Sequence, residues 1–194
     1  MIGLTNAIDK FNGVNYIQYI ESTGTQHIDT GVIVTGATGF ELDFEYYEGG
    51  RILGVVDGSF TGGFVLYGSA NMYYNGMSGS NATDLGDFGV GVRRKITFKN
   101  NVVTKLDGTT YTFPSSSFSS NGTLIIFGLR YNGSVETNTR ASMKLYNFKI
   151  YNGDTLIRNF RACKDENGVY CLYDKVEKKY YYNGGTGSFS GSNS

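Results

Sequence analysis

The heptapeptide Phe40-Glu-Leu-Asp-Phe-Glu-Tyr46 alternates apolar and acidic side chains without interruption. Successive side chains of a β-strand point to opposite faces, so the four apolar residues share one face of a predicted strand. Such alternation is typical of a strand with one buried face and one solvated face. The segment therefore predicts an antiparallel sheet with an aromatic inner surface.

The same alternation recurs at short spacing, and Asn or Gly residues stand between the apolar segments, where left-handed backbone angles are needed. The further predicted strands are 52–56, 63–67, 72–74, 94–99, 102–106, 109–113, 124–129 and 143–151, and then a three-stranded unit at 155–163, 169–173 and 179–182. So many strands cannot bury their apolar faces in one open sheet. We predict an all-β chain whose two antiparallel sheets pack face to face as a jelly-roll β-sandwich.

The composition suits one sandwich domain. The chain has 194 residues, and β-sandwiches commonly reach about 200 residues as a single unit. The 16 Tyr and 13 Phe supply large side chains for a pleated core, and 28 Gly against one Pro suit hairpin turns. We expect a sandwich over residues 15–189, an anchoring segment at 1–14 and a flexible tail at 190–194.

Balanced charge argues against one class of partner. Lys and Arg total 17, as do Asp and Glu, and the sequence has no clustered basic stripe. Nucleic-acid binding needs such a stripe because phosphate neutralisation dominates affinity. No apolar run approaches about 18 residues, the length that spans a membrane, and residues 1–10 lack the features of a signal peptide. We expect neither a nucleic-acid partner nor a membrane partner.

Two stretches carry a family resemblance. They are Tyr16-Ile-Gln-Tyr-Ile-Glu-Ser-Thr-Gly-Thr-Gln-His-Ile-Asp-Thr-Gly31 and Lys144-Leu-Tyr-Asn-Phe-Lys-Ile-Tyr-Asn-Gly-Asp-Thr-Leu-Ile-Arg-Asn-Phe-Arg-Ala-Cys163. Together they resemble the first and last strands of LamG-like, concanavalin A-like lectin and glucanase sandwiches in structural proteins of bacteriophages and prophages. The resemblance implies a concanavalin-like fold and a non-enzymatic role on a virion, in the capsid or the tail.

The resemblance also implies a setting and partners. A virion protein is made in the cytoplasm of its bacterial host and released by lysis, which agrees with a sequence that has no signal peptide. We expect contacts with other virion proteins, homo-oligomer formation, and binding of glycans of the host surface or of mucus, with no cofactor. The alternative is a purely structural decoration protein that acts through protein contacts alone.

The first residues have a helical pattern, because Leu4, Ala7, Ile8 and Phe11 fall at positions i, i+3, i+4 and i+7. Leu4, Ile8 and Phe11 are candidates to anchor the domain to a capsid, a tail or a sister subunit. The alternative, with equal weight, is that the segment folds back onto its own sandwich, because a helix of fewer than about 12 residues needs a packing partner. Both interpretations stay open.

One acidic pattern resembles a catalytic motif. Glu41, Asp43 and Glu45 form an E-x-D-x-E sequence, similar to the acid, helper and nucleophile of one family of concanavalin-like glucanases. Hydrolysis of a glycoside needs two carboxyl groups that flank the bond that breaks, and alternate positions place these three carboxylates on the same side of a strand. The chain has no Trp to line a sugar cleft, and alternating acids also describe a solvated strand face. We therefore expect no catalytic residues.

The chain offers few metal ligands. His27 is the only histidine, and the C-x-x-C spacing of zinc sites is absent. Asp57, Asp84 and Asp87 lie in predicted loops without the D-x-D-x-D-G pattern of a calcium loop. We expect no metal.

Two cysteines lie symmetrically about a predicted hairpin turn at Asn167. Cys163 and Cys171 would face each other across that hairpin, and directly opposed residues have Cα atoms about 4.5 to 5.5 Å apart, within disulfide range. A cross-strand disulfide is therefore feasible. Two buried free thiols are equally consistent with a protein made in a reducing cytoplasm.

Two loop regions have the residue types that recognise sugars, which stack on aromatic rings while amides take their hydroxyl groups. Residues 69–83 and 131–139 combine tyrosines with amides and hydroxyls. The candidate ligand-binding residues are Tyr73, Tyr74, Asn75, Tyr131 and Asn132. The same residue types also occur in turns and at subunit interfaces.

Overall fold

A computed structural model describes residues 13–138 and 140–192, and its regular structure is almost entirely β-strand. The strands in chain order are β1 (Asn15–Tyr16), β2 (Ile20–Thr23), β3 (Ile28–Thr35), β4 (Thr38–Gly49), β5 (Arg51–Val56), β6 (Phe64–Tyr67), β7 (Asn71–Tyr74), β8 (Ala82–Asp84), β9 (Arg93–Lys99), β10 (Val102–Thr104), β11 (Thr110–Thr112), β12 (Ser119–Ile126), β13 (Arg130–Tyr131), β14 (Ser134–Val135), β15 (Ala141–Asn152), β16 (Thr155–Lys164), β17 (Tyr170–Asp174), β18 (Lys179–Tyr181) and β19 (Ser190–Gly191). A 3-10 turn covers Gly79–Asn81. The predicted all-β class is confirmed.

The strands form two sheets that pack as a β-sandwich. The large sheet has the order β11-β10-β9-β4-β15-β16-β17-β18, with β2 beside β15, β19 beside β2, and β1 beside β16. The small sheet has the order β14-β13-β5-β6-β7-β8, with β12 between β5 and β3. Among the strands that the structure describes, pairing is antiparallel except between β13 and β5, and an isolated parallel bridge joins Arg51 and Arg140. The jelly-roll connectivity stays a prediction.

Aromatic side chains fill the space between the sheets. Phe40 of the large sheet lies 5.4 Å from Phe64 of the small sheet and 5.7 Å from Phe98, measured between ring centroids. These three side chains are fully buried. Burial of one such side chain stabilises the fold by about 1.5–3 kcal/mol, so the aromatic core is a main source of stability.

The strand that contains the alternating segment 40–46 lies at the centre of the large sheet. β4 pairs with β15 on one side and with β9 on the other. Phe40, Leu42 and Phe44 face the core with exposures of 0–1%, which confirms the predicted inner face. The acids between them point away from the core.

The chain ends extend the large sheet differently from the predicted boundaries. Ser190 and Gly191, which lie in the predicted tail, pair with β2, so their backbone completes a sheet edge. Val14 is buried against Cys163 and Cys171 and thus belongs to the folded domain. Residues 1–12 of the predicted anchoring segment, including its apolar positions Leu4, Ile8 and Phe11, lie outside the described residues.

Candidate ligand-binding surface

The outer face of the small sheet carries a patch of aromatic rings, which we call the aromatic platform: Phe60, Tyr67, Tyr73 and Tyr131. These four half-buried side chains pack against a small apolar cluster of Val56, Val65 and Leu129. The alternation of strands β6 and β7 sends their other residues, such as Phe64 and Tyr74, to the core. A second apolar layer therefore lies outside the sandwich core.

The sheet is shaped to support this second layer. Gly54 of β5 pairs with Val65 of β6 and points outward. A Cβ at position 54 would lie 2.8 Å from Leu129 Cδ1, so only glycine lets Leu129 lie flat on the sheet. Leu129 then supports the rings above it.

The four rings form two pairs. Tyr67 and Tyr73 lie 5.4 Å apart at an angle of 80°, and Phe60 and Tyr131 lie 5.1 Å apart at 48°. The Tyr131 hydroxyl donates a hydrogen bond to Gly58 O at 2.7 Å. Among the described residues, the hydroxyls of Tyr67 and Tyr73 have no hydrogen-bond partner, so they remain available to a ligand.

Phe60 is held in a strained backbone conformation. Its φ angle of 58° lies in the left-handed region, which costs a non-glycine residue about 1–3 kcal/mol. The loop before it fixes this geometry, since Asp57 Oδ1 accepts hydrogen bonds from the backbone N–H groups of Ser59 and Thr61. The hydroxyl of Thr61 donates to Asp57 Oδ2 at 2.6 Å, and this bond, with those backbone bonds, holds the pKa of Asp57 below its ordinary value despite some burial.

A cation borders the platform. The Arg51 guanidinium lies 5.2 Å from the Tyr67 ring centroid and forms an ion pair of 3.1 Å with Glu136. Its side chain is only 16% exposed. Arg51 thus holds Tyr67 in place, and its charge is already compensated.

The structure brings part of the predicted ligand site together. Tyr73 and Tyr131, 58 residues apart in the sequence, share the platform. Asn132 follows in an exposed turn beside Gly58, with its Cγ 3.6 Å from where a Cβ of residue 58 would lie. The amide of Asn75 is committed to the fold, because it accepts from Gly62 N at 2.8 Å and donates to Ser116 Oγ at 2.5 Å.

The prediction that Tyr74 binds a ligand is wrong. Its side chain is fully buried, because alternate residues of β7 face opposite sides of the sheet. The Tyr74 hydroxyl donates within the core region, 2.9 Å from Asn101 Oδ1 and 3.1 Å from Gly36 O. Tyr74 is a core residue with a satisfied polar tip.

Sequence reasoning missed Phe60, Tyr67 and Arg51. Tyr67 lies two residues after Val65 in β6 and therefore on the same face of the strand, so the local sequence could have predicted its position. Phe60 and Arg51 reach the platform only through the turn at Asp57 and the pairing of Arg51 with Tyr67 in the β5–β6 ladder. Neither contact has a local sequence signature.

The three acids of the E-x-D-x-E pattern lie on the outer face of the large sheet, and each is already paired. Asp43 accepts two hydrogen bonds from Arg93, at 2.7 and 2.8 Å. Lys149 Nζ lies 2.9 Å from Glu41 Oε2. Lys144 Nζ lies 3.3 Å from Glu45 Oε1.

Tyrosine hydroxyls add to these pairs. Tyr151 donates to Glu41 at 2.7 Å, while Tyr146, at 2.8 Å, and Tyr47 donate to Glu45. Burial raises the pKa of Glu41, but the hydrogen bonds from Lys149 and Tyr151 outweigh it and hold that pKa below its ordinary value. Burial likewise opposes the lowering of the pKa of Glu45, and its tyrosine and lysine partners prevail. Both groups are held as carboxylates, unlike a general acid, whose pKa must be raised.

The cysteine register is as predicted. Cys163 pairs directly with Cys171 across β16 and β17, and both side chains are fully buried as free thiols. The two Sγ atoms are 3.2 Å apart. The hydrogen bond to Cys171, together with burial, raises the pKa of the Cys163 thiol.

The other polar candidates are parts of the fold. His27 is buried, and its Nδ1 has no hydrogen-bond partner among the described residues. Asp84 and Asp87 accept from the backbone N–H groups of Gly86 and Gly89, so each caps its own turn. In residues 13–138 and 140–192, no three His, Cys, Asp or Glu side chains cluster closely enough to hold a metal ion.

Within the part of the chain that the structure describes, no helix is long and apolar enough to cross a membrane. Comparisons with protein-family models, with curated proteins and with solved structures found no match to this chain. The aromatic platform, with its four half-buried rings on one sheet face, is the candidate ligand-binding surface.

Proposed function

We propose that this protein is a non-enzymatic binding module that holds a saccharide on the aromatic platform. The observation that carries the proposal is the grouping of four half-buried rings on a solvent-facing sheet, two of them with hydroxyls that have no hydrogen-bond partner in the described part of the chain. A sugar presents an apolar C–H face that stacks on such rings, and its hydroxyls take hydrogen bonds at the rim. Asn132 and the hydroxyls of Tyr67 and Tyr73 supply those bonds.

The platform is organised before a ligand arrives. Phe60 is fixed by the Asp57 turn, Tyr67 by Arg51, and Tyr131 by its bond to Gly58. Rings that are held in place lose little conformational entropy on binding, which favours affinity for a saccharide. This preorganisation supports binding rather than packing as the role of the surface.

The resemblance noted in the sequence supports a setting on a bacteriophage virion. There, the sandwich is attached to a capsid or a tail, and the platform faces glycans of the host surface or of mucus. The protein is assembled in the bacterial cytoplasm and released by lysis. Its sandwich acts by adhesion alone, because the three acids that resemble a glucanase motif are neutralised by cations on their own sheet.

A structural decoration role is the second candidate, and one observation favours it. Val90 is 72% exposed and Val92 40% exposed in the loop that precedes β9. Exposed valines of this kind suit contact with another protein of the virion. In that case the platform rings would also lie in a protein interface.

A glycan array tests the proposal. The protein, its Tyr67→Ala/Tyr73→Ala variant and a Tyr182→Ala control are compared, since Tyr182 is an exposed tyrosine far along the chain from the platform strands. We expect specific binding by the protein and the control, with loss in the platform variant. A blank array from folded protein would favour the decoration role, and binding that survives in the platform variant would exclude the platform as the site.

A further inference from the structure

A shallow depression of about 140 Å³ lies on the outer face of the large sheet, away from the aromatic platform. Its polar lining is Glu41, Asp43, Lys95, Thr97, Asn147 and Lys149. The depression lies at a β-bulge: Leu145 pairs with Phe44 and Asn147 with Asp43, so Tyr146 is an extra residue of β15. A bulge locally bends and twists a strand, which opens space beside Asn147.

The neighbouring strand, β16, adds polar atoms that have no hydrogen-bond partner among the described residues. Arg161 of β16 pairs with Asn147, and Asn159 pairs with Lys149, so both point to the face that holds the depression. Among the residues that the structure describes, Arg161 Nε and Asn159 Oδ1 are buried without a hydrogen-bond partner. A buried polar atom without a partner costs about 1–3 kcal/mol, so these two side chains carry polar capacity that the fold itself does not satisfy.

The cationic side chains around the depression outnumber the acidic ones. Asp43 is shared by Arg93, at 2.7 Å, and Lys95, at 3.8 Å. Glu41 is paired with Lys149. Within residues 13–138 and 140–192, the side chain of Arg161 makes no ion pair and no hydrogen bond. A cation therefore remains for an incoming anion.

We propose that this depression and the adjoining Arg161 bind one carboxylate-bearing sugar unit, such as a uronic acid. A guanidinium matches a carboxylate in charge and in geometry, and the amides of Asn147 and Asn159 suit sugar hydroxyls. The volume is well below the roughly 300–1,000 Å³ of sites for drug-sized ligands, which suits a single sugar unit. The site is independent of the platform, because it uses the other sheet.

Calorimetric titration with methyl glucuronide and methyl glucoside tests this site. We expect glucuronide to bind at least about tenfold more tightly than glucoside, since only glucuronide supplies the carboxylate for Arg161. Arg161→Gln should abolish the difference and Arg161→Lys should restore part of it. Lys164→Gln, which removes one positive charge from the same strand, is the matched control and should bind as the parent does.

Three results would overturn the proposal. They are equal affinity for the two methyl glycosides, an unchanged glucuronide affinity in Arg161→Gln, and acetate binding as tight as glucuronide binding, which would leave a carboxylate site without sugar recognition. Tyr73→Ala separates this site from the platform, because it should leave glucuronide affinity unchanged whatever the platform binds. A thermal melt of each variant shows that a loss of binding is not a loss of fold.

Discussion

The two outer faces of the sandwich use their polar groups in opposite ways. On the large sheet, Glu41, Asp43 and Glu45 each meet a cation within 3.3 Å. On the small sheet, the rings of Tyr67 and Tyr73 pack edge to face, and their hydroxyls have no partner among the described residues. The three acids of the large sheet use their hydrogen-bonding capacity within the fold, whereas the two platform tyrosines keep the capacity of their hydroxyls for solvent or a ligand.

This difference shows why a strand pattern alone does not identify a site. Both faces arise from strands that alternate apolar and polar residues, and both contain several tyrosines. The function of a face depends on what its neighbours across the sheet supply. At Glu45, β15 supplies Lys144 and Tyr146, whereas the residues that pair with Tyr73 are the apolar Val65 of β6 and Ala82 of β8.

Substitution of two adjacent tyrosines should give the largest contrast in stability. Tyr74→Ala removes a fully buried ring and should lower the free energy of unfolding by about 3–5 kcal/mol. Tyr73→Ala removes a half-buried platform ring and should cost about 1 kcal/mol. Urea unfolding measures both values, and equal losses would contradict the assignment of the two rings to opposite faces.

The paired acids should contribute less than the core. Asp43→Asn keeps the shape of the side chain but removes the charge that holds Arg93, so the free energy of unfolding should fall by about 2 kcal/mol. Glu166→Gln is the control, since Glu166 is exposed and should change stability by less than about 0.5 kcal/mol. A neutral effect of Asp43→Asn would mean that the large-sheet face is not held by its ion pairs.

The same face should make stability sensitive to acid. The pKa values of Glu41 and Glu45 are lowered in the folded protein, so the unfolded chain binds protons first as the pH falls. Their contribution is complete above the ordinary carboxyl pKa of about 4.5 and is lost as the pH falls through the lowered values. Glu41→Gln/Glu45→Gln should therefore weaken the fall in stability between pH 5 and pH 3, read from urea midpoints. A variant as acid-sensitive as the parent would contradict this account.

Phe60→Asn should lower saccharide binding while changing the free energy of unfolding only slightly. Asparagine tolerates the left-handed φ angle, so relief of strain should offset part of the lost contact with Tyr131, with a net change below about 1 kcal/mol. Saccharide binding should nevertheless fall, because one of the four rings is gone. Unchanged binding would remove Phe60 from the platform.

The strands and their inner faces were readable from the sequence because alternation is local. The β4 pattern at Phe40, Leu42 and Phe44 predicted the core face correctly. The sequence Tyr73-Tyr74 did not reveal which ring points outward, since that depends on the register with β6.

The partners of the acids and of the platform were out of reach of local patterns. Lys149 and Tyr151 lie more than 100 residues from Glu41 in the sequence and meet it only across the β4–β15 ladder. Phe60 depends on a turn whose hydrogen bonds compensate its strained φ angle. Such long-range pairings determine which polar groups remain free, and thus where a ligand can bind.

Amide chemical-shift mapping of the isotopically labelled protein, titrated with a neutral glycan selected on the array, tests the central claim most directly. We expect the largest shifts at residues 58–67, 71–74 and 129–132 and none at residues 41–45 or 93–97. Shifts centred on residues 41–45 and 93–97 would contradict the account, because the ion-paired face rather than the aromatic platform would then be the surface that recognises the glycan.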